Sequence, residues 1–152
     1  MKRLRIYVDT SVFGGCFDEE FAEESKRLFE EIANGKFLLV VSKTTFREIA
    51  GAPENIRNVL AQLSSSHVEV VQDSPDIDIL RDAYLKAGVV GPASKTDAEH
   101  IATASIANVD FVVSWNFKHI VHYEKIHGYH AVNLMHGYKA IEIFSPREVV
   151  NL

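Results

Sequence analysis

Short strand-like runs alternate with helical segments along this chain, and that alternation leaves few folds open to it. Leu4, Ile6 and Val8 alternate with Arg5 and Tyr7, which is strand spacing. Residues 37–41 form a continuous apolar run with β-branched members, as a buried strand does. Residues 67–71, 110–114 and 140–144 supply three more strands. Between them the spacing turns helical. Over 18–34, Phe21, Ser25, Leu28, Phe29 and Ile32 fall on one face, acids crowd the start where the helix dipole favours them, and Gly35 marks the stop. Helix-start residues at 42–45 open a second helix with Phe46, Ile49 and Ala50. Further helices are expected over 55–63, from Ser74-Pro75 to Gly88, from a Thr96 cap to Asn108, over 121–128, and after Ser145-Pro146. The order β-α-β-α-α-β-α-α-β-α-β-α predicts an α/β fold. Its form is a three-layer α/β/α sandwich on a central, mostly parallel sheet of four to five strands, in a single domain over 1–152.

Charge limits the partners. Sixteen Lys and Arg stand against 21 Asp and Glu, a formal charge of −5, whereas proteins that grip duplex DNA through phosphates carry a basic surface. A nucleic-acid partner must therefore be held by a local basic rim or through metal ions. No apolar run approaches the roughly 20 residues of a membrane span, and the apolar part of the N-terminus is too short for a signal peptide, so the expected location is cytoplasmic, with no membrane partner. The single Cys16 forms no intrachain disulfide and reads as a small buried hydrophobe.

In parallel α/β sheets ligands bind beyond the carboxyl ends of the strands. Asp9 stands at such an end, followed by the hydroxyls of Thr10 and Ser11; the ordinary alternative is a helix cap. Glu48 lies on the helix after strand two, Asp97 in the first turn of the helix before strand four, and Asn116 just after that strand, behind Ser114 and Trp115. Their ordinary alternatives are a solvated glutamate and an acid at a helix start. If the three carboxylates converge they repel one another unless a cation neutralises them. Oxygen ligands of this kind suit Mg²⁺ or Mn²⁺, which activate water for phosphodiester displacement.

The segments IYVDTSVFGG, SKTTFREIAG, SKTDAEHIATASI and DFVVSWNFKHIV, in this order, resemble a PIN domain, most strongly the small single-domain proteins of the VapC toxin type. The resemblance covers essentially the whole chain. It implies a metal-dependent ribonuclease whose acids fall on Asp9, Glu48 and Asp97 as metal ligands, with the small hydroxyl on Thr10 or Ser11. It also implies an antitoxin protein as partner and a homodimer. The chain departs from the family at the fourth acid, where Asn116 offers a carbonyl oxygen but no charge. Its SWNFKHI run resembles a subgroup of the family.

The remaining polar residues divide by position. Thr10, Ser11, Ser114, Lys118 and His119 are the candidates for holding substrate, with Asn116 orienting water or phosphate. His100 and His119 stand beside the acids and can orient a carboxylate or ligate a metal, although a structural histidine is the commoner case. His122, His127, His130 and His136 lack metal-ligand spacing. Trp115 and Phe117 read as core rather than as stacking platforms for bases. The expected function is a Mg²⁺- or Mn²⁺-dependent ribonuclease acting on single-stranded RNA or structured loops, with Asp9, Glu48, Asp97 and Asn116 in the catalytic site. The alternative is a PIN-like module that binds RNA or protein without cutting.

Overall fold

In the computed structural model, which describes residues 2–152, five strands form one sheet: β1 (Leu4–Val8), β2 (Phe37–Val41), β3 (Val68–Val70), β4 (Phe111–Val113) and β5 (Glu142–Phe144). Their order is β3-β2-β1-β4-β5 and every pairing is parallel, with Tyr7 opposite Val40 on one side and Val112 on the other. Strand order therefore reverses between β1 and β4. That is a topological switch point, where an open parallel sheet leaves a crevice at its carboxyl edge.

Among the described residues eight α-helices connect and cover the strands: α1 (Thr10–Gly15), α2 (Ala22–Ala33), α3 (Lys43–Ala50), α4 (Glu54–Ala61), α5 (Pro75–Lys86), α6 (Lys95–Ile106), α7 (Tyr123–Met135) and α8 (Pro146–Val149). Alternate side chains of each strand point to opposite faces. Ile6, Val8, Leu39, Val41, Phe111 and Val113 meet α1, α2 and α8 on one face. Tyr7, Val40 and Val112 meet α5, α6 and α7 on the other. The architecture is the expected three-layer α/β/α sandwich. Cys16 is buried, as expected, and burial pushes its thiol up to about 11.

One helix stands where the periodicity marked none, and three local expectations need correction. Helix α1 follows Asp9 directly, although TSVFGG has poor helix propensity; Val12, Phe13 and Gly15 are buried in it, so packing overrides propensity. Helix α7 runs on through Gly128 to Met135. A Cβ at Gly128 would lie 2.9 Å from Val89 Cγ1, so this glycine permits close approach and does not stop the helix. The N-cap of α6 is Ser94, not Thr96, and its side chain makes no capping bond. Trp115 is core but Phe117 is 48% exposed.

Candidate active site at the sheet switch point

Asp9 leaves β1 at the switch point, its backbone N–H bonded to Val113 of β4 (3.2 Å). It occupies the N-cap position of α1, yet its side chain caps nothing. Instead it accepts from Ser11 Oγ (2.5 Å) and Ser114 Oγ (2.9 Å). Each hydroxyl in turn accepts a backbone N–H, Ser11 from Trp115 (3.0 Å) and Ser114 from Asn116 (2.9 Å). Both serines are thereby committed to holding Asp9. The sequence had offered them as substrate contacts; in the fold they orient an acid and join β1 to the loop after β4.

Asp97, half-buried in the first turn of α6, faces the same crevice. Burial raises the pKa of both aspartates, and each is raised further by a neighbouring carboxylate: Asp9 by Asp97, and Asp97 by Glu48. His100 opposes this at both, and His119 and the Asn116 side chain oppose it at Asp97. The acids from β1, α3 and α6 thus feel one another's charge.

Glu48 behaves differently. Its Oε1 accepts from His100 Nε2 (2.5 Å) and Thr10 Oγ1 (3.1 Å). Burial works against its charge, but His100 outweighs this, with Thr10 and Arg47 assisting, so its carboxyl lies below the usual range. His100 itself is 1% exposed, and burial works against its charge too. The Tyr7 phenol, the Glu48 hydrogen bond and the Asp9 and Glu48 charges prevail, pushing its pKa up to about 10. By sequence His100 can orient a carboxylate or bind metal; the fold gives it the first arrangement. No sign in the sequence pointed to the third member, Tyr7, whose Oη lies 2.6 Å from His100 Nδ1. The strand's alternation only marked Tyr7 as facing the opposite layer from Ile6.

Asn116 is held by its own loop. Its Oδ1 accepts from the backbone N–H groups of Lys118 (3.2 Å) and His119 (2.9 Å), a turn that an aspartate would also close. The carbonyl oxygen expected to face water or phosphate is therefore occupied, and the amide group is the part that acts on Asp97. His119 is half-buried beside Asp97, with its carbonyl fixed by Tyr129 Oη (2.9 Å). Lys118 is exposed and joins the cluster only through its backbone. Glu99, two residues from Asp97, turns away to Thr44, Arg47 and Arg81 and belongs to the scaffold.

The donor set can be judged against a divalent cation. Two desolvated aspartates with raised affinity for positive charge fit such an ion. Among the described residues no group of three or more His, Cys, Asp or Glu side chains is placed so that it could hold a metal ion. Among the described residues no helix is long and apolar enough to cross a membrane.

A family profile described as the PIN domain matches residues 6–125. No curated protein sequence matches the chain. Among solved structures, it is similar in fold to VapBC2 from Rickettsia felis, crystallised with a DNA fragment from their promoter. The TM-score is 0.56 at 11% identity, over 93% of this chain and 98% of that one. It is likewise similar to FitAcB from Neisseria gonorrhoeae, with a TM-score of 0.54 at 16% identity over 93% and 98%.

Proposed function

The chain belongs to the PIN domain family, and from that premise we propose that it is a Mg²⁺- or Mn²⁺-dependent ribonuclease, the toxin of a type II toxin–antitoxin pair. Members of the family are generally nucleases. The observation that carries the reading is the pair Asp9 and Asp97, desolvated together at the switch point and each raised in pKa by burial and by a neighbouring acid. Such a pair is costly without a cation.

Asp9 and Asp97 are the residues that would hold the ion, and Glu48 joins them directly or through water. A bound divalent ion supplies a hydroxide-like water and neutralises charge on the scissile phosphate. Ser11 and Ser114 keep Asp9 in one orientation, and Thr10 does the same for Glu48. Asn116 closes the turn that brings Lys118 and His119 to the rim, where a cationic lysine and an imidazole meet phosphate oxygens. The net charge of −5 and this narrow basic rim favour single-stranded or looped RNA over duplex DNA. An antitoxin protein and a second copy of the chain are the proposed protein partners; the fold likeness to VapBC2 and FitAcB supports the toxin reading.

The neutral Asn116, with its carbonyl oxygen occupied, favours one second reading: a module that binds RNA or protein without cutting. Cleavage of labelled single-stranded RNA in Mn²⁺ and then Mg²⁺, with Asp9→Asn and Asp97→Asn alongside, separates the two. Loss of at least a hundredfold in rate in both variants, and arrest by EDTA, is the expected result. Equal cleavage by wild type and variants would place the activity elsewhere. No cleavage and no Mn²⁺ binding would leave the binding module.

A further inference from the structure

We infer that His100 is a positioning residue for Glu48, fixing through a buried relay an acid of the site that α3 presents to solvent; the inference rests on the nuclease reading above. The side chain of Glu48 is 34% exposed, whereas that of His100 is 1% exposed. A glutamate in that position ordinarily samples several rotamers, and ordering it costs side-chain entropy. Here the carboxylate is caught at one oxygen. Oε1 accepts from His100 Nε2 at 2.5 Å and from Thr10 Oγ1 at 3.1 Å, while Oε2 accepts no hydrogen bond from the described residues. One oxygen is thus anchored and the other left available.

The anchor is itself anchored. His100 Nδ1 lies 2.6 Å from Tyr7 Oη, and Tyr7 Oη lies 2.9 Å from Ser42 Oγ. Tyr7 is fully buried in the central strand, so it moves only with the sheet. Ser42 is the N-cap of α3, the helix that carries Glu48, and it forms a capping box with Thr45. The path therefore closes on itself. Tyr7 of β1 holds both the ring that grips Glu48 and the residue that starts Glu48's helix. Both ring nitrogens of a histidine set in an apolar layer beside Ala98, Ile101 and Ala102 find partners, and one of those partners is an acid of the site. Partners that orient metal-binding side chains typically change metal affinity or activity by about 10–100-fold when removed.

The test compares His100→Ala with His100→Gln, which keeps a side-chain N–H donor, in the full chain. In metal-free protein, NMR of the His100 ring should show a protected, downfield Nε2–H resonance that is lost in Glu48→Ala. Its absence in the wild type overturns the pairing whether or not the protein cuts RNA. Mn²⁺ titrated by calorimetry should bind at least tenfold more weakly to His100→Ala, with His100→Gln recovering most of the loss. RNA cleavage should show kcat lowered at least tenfold in His100→Ala and KM within twofold, again recovered in His100→Gln. A lowered Tm with unchanged Mn²⁺ affinity and kcat would make His100 purely structural and overturn the inference. Asp97→Asn is the control: if it alters neither cleavage nor Mn²⁺ binding, the nuclease reading fails, while the ring resonance still reports on His100.

Discussion

Asp9 and Asp97 carry pKa values raised chiefly by burial, so each opposes folding while it is ionised. The sign follows from linkage. A folded-state pKa above the unfolded one gives a stabilising contribution that is complete below the ordinary value of 3.8 and lost as pH rises through the raised value. Metal-free Asp97→Asn should therefore melt at a higher temperature than the wild type near neutral pH, with the gap closing in acid; calorimetric Tm from pH 3 to 8 checks it. His100 obeys the same rule from a different start. Its folded pKa of about 10 stands above the ordinary 6.5, so its stabilising contribution is complete below 6.5 and fades as pH rises to about 10. The Tm difference between wild type and His100→Gln should shrink over that interval. A difference constant from pH 6 to 10 would mean that no charge is held on the ring.

Helix α1 is the element on which the site's geometry turns, because it carries Thr10 and Ser11 away from Asp9 at a fixed angle. What fixes that angle is contact. A Cβ at Gly15 would stand 2.6 Å from Ser25 Oγ and 2.8 Å from Trp115 Nε1, two groups that are themselves hydrogen-bonded at 2.8 Å. Trp115 also gives its backbone N–H to Ser11, so crowding at Gly15 reaches the Asp9 clamp. Gly15→Ala should cost about 1–3 kcal/mol by overpacking. That is a Tm drop of about 2–4 °C per kcal/mol for a chain of this size. Thermal melts measure it, and a shift in the emission of the single Trp115 should accompany it. Helix α6 teaches the converse. Ala98 to Ser105 are all buried, so the helix shows little one-sided pattern and its role is read only from what it touches. Ile101 and Ala102 face one layer, Glu99 meets α3 and α5, and Asp97 and His100 reach the crevice.

At the scale of the whole molecule, folding and ion binding are linked, since the chain must be folded before β1, α3 and α6 bring their acids together. An ion that binds only the folded state stabilises it by mass action, about 2.7 kcal/mol at a hundredfold excess over Kd. Millimolar Mn²⁺ should raise Tm, EDTA should reverse the rise, and Asp9→Asn should abolish it; a rise that survives in Asp9→Asn would place the ion elsewhere. How much of this was legible beforehand follows from physical range. Period and punctuation are local, so the strands, the parallel three-layer sandwich and the positions of Asp9 at a strand end, Glu48 on the helix after strand two and Asp97 at a helix start could be read from the sequence. The strand order, with its switch point between β1 and β4, is a matter of which buried faces meet, and only the tertiary structure decided it. So too were the commitment of Ser11 and Ser114 to Asp9, the occupied carbonyl of Asn116, the close approach of Val89 that leaves room only for a glycine at 128, and the relay from Tyr7 through His100 to Glu48. The first members of that relay are 93 residues apart, and a hydrogen bond 2.6 Å long between them leaves no periodic mark in a sequence, because it depends on where the fold brings two side chains and on nothing near either.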